Sequence, residues 1–304
     1  MFLYWLLFNL FALGMLLLDL LVLHRGKRPI HSRDALAWSA IWVALAALFA
    51  GLIFVWQGRQ VALEFVTGYV LELSLSVDNL FLFLVIFRYF SVPEAQERGV
   101  LFWGVIGAVV MRGALIVTGV GLIHRFPWIL YGLGALLVYS GIRLGFSGEH
   151  KIDPAANPVV KAMRRWVPVT DQYHGDKFWI RMGQGMRLHA TPLLIALAVI
   201  ETTDVLFAVD SIPAVLAVTL NAFIAYTSNV FAILGLRSMY FAISGLIKQF
   251  RFLHVGLAIV LILVGAKMIL SNYFKIPTPV TLAAIAVIIA ASVAASIWLP
   301  ETKK

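Results

Sequence analysis

Five carboxylates stand inside apolar stretches of this 304-residue chain: Glu72 and Asp78 in one, Asp204 and Asp210 in another, with Glu201 beside the second pair. A carboxylate near the middle of a bilayer costs roughly 2.5–3.5 kcal/mol even on the lenient insertion scale, so such groups are kept where something binds or balances them. Their chemistry points to a cation site. The neutral oxygens of Asn79, Ser211, Ser74, Ser76, Thr202 and Thr203 lie close by in sequence. Oxygen donors without cysteine or a central histidine suit a hard divalent ion such as Mn²⁺, Mg²⁺ or Ca²⁺ better than Zn²⁺ or copper.

Helix geometry adds a constraint. Glu201 and Asp204 share a face, whereas a six-residue step turns by roughly 240° and climbs ~9 Å, so the acids of each pair point apart in a regular helix. Pro213 cannot donate to the carbonyl of Val209, and a helix broken there would bring Asp204 and Asp210 closer.

The elements that carry these residues are membrane spans. With 62% hydrophobic and 13% charged residues, the chain has more apolar surface than a soluble core of this length would hide. Nine runs, at about 2–23, 35–56, 62–87, 99–123, 127–146, 191–218, 221–247, 254–272 and 279–299, are long enough to cross ~30 Å of hydrocarbon as helices. The fold class expected is therefore all-α, one polytopic transmembrane domain over residues 1–304. The first run lacks a basic start and a small-residue cleavage site, and reads as a retained span. The long polar connection, residues 147–190, reads as a cytoplasmic loop with a short interfacial helix near Val159 to Val167.

The net charge of +9 sets orientation. If the N-terminus is outside and the spans alternate, most basic residues fall inside, the long loop above all, leaving Arg59, Arg125 and Lys275 outside. That asymmetry places the C-terminus in the cytoplasm and excludes a nucleic-acid partner. The absence of cysteine removes disulfides and thiolate metal sites, and the seven histidines fall at or near loops or span ends. No phosphate-binding loop is present, so transport would run on an ion gradient.

Four basic residues within the apolar runs expose a repeat. The third to fifth spans carry Glu72 and Asp78, then Arg112, then Gly141-Ile142-Arg143; the sixth to eighth carry Asp204 and Asp210, then Arg237, then Gly265-Ala266-Lys267. Repeats three spans apart have opposite orientation, the arrangement of secondary transporters whose sites lie at the repeat interface. Arg112 and Arg237 are the charge partners expected for the acids. A plainer alternative is that acids and arginines form buried ion pairs that fix packing and bind nothing.

Three strings make a resemblance specific: TGYVLELSLSVDN from Thr67 to Asn79, ETTDVLFAVDSIPA from Glu201 to Ala214, and TSNVFAILGLRSMYF from Thr227 to Phe241. With Phe90 to Pro93 and Trp128 to Tyr131, they make the chain similar to the TerC family of integral membrane proteins, Alx-like branch. The resemblance implies a manganese exporter of the inner membrane, not an enzyme, with Mn²⁺ as cargo and no resident cofactor. It also implies that Glu72, Asp78, Glu201, Asp204 and Asp210 handle the metal. A Ca²⁺/proton or other cation exchanger, or a membrane partner in metal delivery or tellurite-type stress response, are the alternatives. Protein partners are not specified by the sequence.

Overall fold

In hydrocarbon every backbone N–H and C=O must find a partner within the protein, and a long apolar run does so as a helix. The computed structural model describes residues 2–23, 32–147, 158–182, 187–243, 252–274 and 276–298. The elements are α1 (Phe2–Leu23), α2 (Ser32–Gln57), α3 (Arg59–Tyr89), α4 (Glu94–Arg125), α5 (Ile129–Ser147), α6 (Pro158–Trp166), β1 (Trp179–Met182), β2 (Arg187–Ala190), α7 (Pro192–Leu216), α8 (Ala222–Ile243), α9 (Leu253–Leu270) and α10 (Thr278–Trp298). Eight of these helices, α2 to α5 and α7 to α10, are long and apolar enough to cross a membrane. The expected ninth, α1, is helical over the anticipated run, with Leu3–Leu18 as its apolar stretch. The fold is all-α and polytopic.

Between α2 and α3 the chain reverses through Gly58 alone, at φ +90°, a conformation that a residue with a side chain resists. The segment 158–190 contains the anticipated short helix, α6, which seats Val160 against the ends of the spans. It also contains an antiparallel ladder of four residue pairs, Trp179 opposite Ala190 through Met182 opposite Arg187, which sequence reading did not anticipate. Tyr173 donates to the carbonyl of Phe90 at 2.5 Å and ties this segment to the turn after α3.

The helices pack as two sets with equivalent contacts. α3 lies along α8 and α7 along α4, while α5 crosses its counterpart α9. A β-carbon at Gly265 would stand 2.6 Å from the Gly134 carbonyl oxygen, and one at Gly141 would stand 2.7 Å from that of Ala258. Moving along α5 from Gly134 to Gly141 thus means moving backwards along α9 from Gly265 to Ala258. The two helices are antiparallel, as an inverted repeat requires. Matching Gly141 with Gly265 also matches Gly134 with Ala258, so the two contacts are one contact seen from each half.

α8 is the central helix and is almost wholly buried. An aromatic cluster of Phe8, Phe65, Phe223 and Phe231 joins it to α1 and α3. The edge-to-face contact of Phe65 with Phe231, at 5.9 Å, belongs to it.

Candidate functional site

The carboxylates of Glu72 and Asp204 come from equivalent positions of the two repeats, and one guanidinium joins them. Arg112, 2% exposed on α4, donates from Nε to Asp204 Oδ2 at 3.1 Å and from Nη2 to Asp204 Oδ1 at 2.7 Å. Its Nη1 donates to Glu72 Oε1 and reaches Ser211 Oγ at 3.3 Å and Asn229 Oδ1 at 3.4 Å. The other Glu72 oxygen, Oε2, accepts from Asn229 Nδ2 at 2.8 Å, and Ser76 Oγ lies 3.4 Å from Oε1. Glu72 is fully buried and Asp204 nearly so. Four helices, α3, α4, α7 and α8, therefore meet on one cation enclosed by oxygens.

Beside this centre lies a cavity of about 460 Å³, lined by α3, α5, α7 and α9. Its polar wall is made by Asn79, Ser140, Thr203, Asp210 and Ser211, with Arg143 and His254 among the other lining residues. Ser140 Oγ donates to Asp210 Oδ1 at 2.6 Å. Asn79 is buried, and its Oδ1 has no hydrogen-bond partner among the described residues, so an acceptor stands ready at the cavity wall. Ser211 belongs to both places: it lines the cavity and touches Arg112.

The cavity occupies the half of the bundle where α3 and α5 finish and α9 begins. In the other half the same four helices are packed shut by Leu71, Leu137, Ala214, Val264 and Met268. Apolar packing fills one half of these helices and the cavity lies in the other, with Ser211 of the charged centre at its wall.

The structure thus divides the residues expected to act together. Glu72, Asp204, Ser211 and Arg112 form the centre, while Asp210 and Asn79 face the cavity. Glu201 is outside the hydrogen bonds described for Arg112 and outside the cavity lining, but it lies close enough to Asp204 to feel its charge; its carboxylate sits against Gly107 of α4, where any β-carbon would overlap it. Arg237 is buried in α8. The side chain of Asp78 lies outside the described residues. The proposed break at Pro213 is not found, since α7 runs unbroken from Pro192 to Leu216 with Pro213 inside it. Asp204 and Asp210 accordingly point apart, as an uninterrupted helix dictates. Among the described residues no three of His, Cys, Asp and Glu gather as metal ligands.

Two residues of the site had no role in the sequence reading, Asn229 and Ser140. Asn229 lies inside the TSNV string, and its polarity in an apolar run was the available signal. Nothing in sequence marks Ser140, whose partner is seventy positions away.

A bundle of apolar helices around a buried acid–arginine centre, with a cavity beside it, defines a polytopic membrane protein built to hold charge within its spans. The profile of the Integral membrane protein TerC family matches residues 57–304, and the chain belongs to that family. It is 42% identical over 293 residues to an uncharacterized membrane protein, STKORF319, of Myxococcus xanthus, covering 96% of this chain and 91% of the relative. It is also 42% identical over 297 residues to Alx of Escherichia coli (strain K12), named as a proposed membrane-bound redox modulator, with 94% and 91% covered. An uncharacterized membrane protein of Rickettsia bellii is 34% identical over 278 residues, with 91% of each chain covered. No solved structure matches.

Proposed function

We propose that the protein is a secondary transporter that exports Mn²⁺ across the inner membrane by alternating access between two inverted repeats. The observation that carries this reading is the cavity, confined to one half of the bundle, beside an oxygen-lined cation centre built from both repeats. A channel would need a path to both faces, and a purely structural ion pair needs no cavity with Asp210, Asn79 and Ser211 in its wall. The oxygen-only surroundings favour a hard divalent ion. Manganese among these follows from the family resemblance of the TGYVLELSLSVDN and ETTDVLFAVDSIPA strings. The redox role in the name of Alx has no thiol to act through here, because the chain has no cysteine; any influence on redox state would be indirect, through the metal.

In this reading the open cavity faces the cytoplasm, because it lies on the side of the basic segment 158–190. Ions enter past Asp210 and Asn79 and reach the centre across Ser211. Rearrangement of α5 against α9 then closes the cavity and parts the apolar seal. Release coupled to carboxylate protonation completes the cycle.

The direct test is ⁵⁴Mn²⁺ accumulation by inverted vesicles, with Mg²⁺ and Ca²⁺ run in parallel and vesicles lacking the protein as the blank. Wild-type vesicles should accumulate Mn²⁺. Asp210→Asn, which removes a charge on the entry route and leaves the Arg112 centre intact, should raise the half-saturating concentration severalfold with less effect on the maximal rate. Vesicles that gain no Mn²⁺ over the blank would end the export reading and favour the metal-delivery alternative.

Orientation has its own check. Because the chain has no cysteine, single probes report without background. Asn157→Cys should be shielded from an impermeant external thiol reagent, whereas Gln57→Cys should react. The opposite pattern would place the cavity on the outer face.

A further inference from the structure

The guanidinium of Arg112 touches oxygens of four residues, Glu72, Asp204, Ser211 and Asn229, two of them carboxylates. We propose that Arg112 is a tethered counter-cation: its guanidinium fills the place a divalent ion takes during transport, and the ion binds by displacing it. The cargo in this inference rests on the export reading.

Three features argue for displacement over a fixed brace. The first is charge. Two carboxylates and one guanidinium leave this described cluster with one surplus negative charge, whereas a dication in the same place balances both acids. Low polarity around the cluster magnifies that difference.

The second feature is donor type. Glu72 Oε1, both Asp204 oxygens, Ser211 Oγ and Asn229 Oδ1 surround one cationic group. This is the hard-oxygen set that Mn²⁺ or Mg²⁺ accepts. A brace would need only the fork on Asp204 and the bond to Glu72; it would not need the neutral oxygens of Ser211 and Asn229. Asn229 also holds Glu72 Oε2 at 2.8 Å, so Glu72 stays oriented when the guanidinium leaves.

The third feature is access. Ser211 lines the cavity as well as touching Nη1, so the centre is one side chain from space where an ion can arrive. An arginine side chain is long enough to withdraw while its backbone stays in α4.

The consequence is a gate on selectivity. A monovalent ion returns no more charge than the guanidinium it replaces and loses the two-pronged bond to Asp204. A dication balances both acids. Arg112 thus disfavours Na⁺ and K⁺ and, by returning to the acids, expels the bound metal after the repeats rearrange.

Equilibrium ⁵⁴Mn²⁺ binding to purified full-length protein in lipid nanodiscs tests this apart from transport. An internal competitor that fills the site most of the time weakens the apparent affinity by the fraction of time the site is free. Arg112→Gln should therefore bind Mn²⁺ tighter, on the order of tenfold or more, while its turnover in vesicles falls. Arg112→Lys keeps a cation but loses the fork, so its affinity should lie between those of the wild type and the Gln variant. If Arg112→Gln does not fold, the Lys variant decides alone, and affinity at or below the wild-type value overturns the proposal. Folded Arg112→Gln protein with unchanged or weaker binding overturns it as well, even if the wild type transports Mn²⁺. If the wild type transports no Mn²⁺ but the Gln variant gains affinity, the export reading falls and the tethered counter-cation stands. Absence of binding in every variant overturns both.

Discussion

Asp204→Asn should reduce ⁵⁴Mn²⁺ accumulation to the level of vesicles lacking the protein, the largest functional loss expected of any single substitution here. The replacement is nearly isosteric, but it removes the charge that holds two of the guanidinium's bonds, at 3.1 and 2.7 Å. It also turns an amide nitrogen, itself a donor, toward a group that only donates. Arg112 would keep Glu72 as its carboxylate partner, beside Ser211 and Asn229, but lose its two-pronged bond. Glu72 still balances the guanidinium's charge, so the cost is that of charge-assisted hydrogen bonds lost from it, about 1.5–3 kcal/mol. Lower thermal stability should therefore accompany the loss of transport. Adding Arg112→Gln would leave Glu72 buried without a cation and should lower stability further, whereas Asp204→Asn alone keeps a balanced Glu72–Arg112 pair and should fold while failing to transport. An Asp204→Asn protein that accumulates Mn²⁺ normally would remove the centre from the pathway.

The helices and the charged residues that matter were legible in sequence for a simple reason. Membrane spans declare themselves by apolar length, and an acid or arginine inside one stands out against it. The order acid, arginine, Gly-x-basic likewise exposed the repeat before any contact was known, and the antiparallel crossing of Gly134 with Gly265 bears it out. Which acid would meet which arginine was not legible, because that depends on how helices pack. Glu201 shows this. One turn from Asp204 and on the same face, it feels that acid's charge, yet its carboxylate sits in the space that Gly107 of α4 leaves free, which no spacing in the sequence foretells. Pro213 shows the converse: three residues before the end of α7, it replaces one backbone donor without breaking the helix. The β1–β2 ladder escaped notice because four-residue strands carry too little alternation to separate from a loop.

Gly265→Leu should prevent recovery of folded protein, whereas Gly132→Leu, on the partner helix, should be tolerated. Spans pack tightly in lipid where small residues let backbones approach, since lipid tails give no hydrophobic drive for association. At the crossing of α5 and α9 that approach has reached its limit. A β-carbon at position 265 would lie 2.6 Å from the Gly134 carbonyl oxygen, 2.9 Å from Leu137 Cβ and 3.0 Å from Val138 Cγ2. The first of these is backbone and cannot rotate away. Even Gly265→Ala must therefore push the helices apart, at about 1–3 kcal/mol for added bulk in a packed core. A leucine adds three more carbons against the same surface, beside the Leu137, Val264 and Met268 seal. At Gly132 nothing lies within 4 Å of the new β-carbon, so the same side chain there meets open space. Size-exclusion profiles of detergent extracts should show a single peak for the wild type and Gly132→Leu, a reduced one for Gly265→Ala, and aggregate for Gly265→Leu. Equal profiles for the two leucine variants would mean that the repeats do not meet at this crossing, and the proposed rearrangement of α5 against α9 would lose its contact.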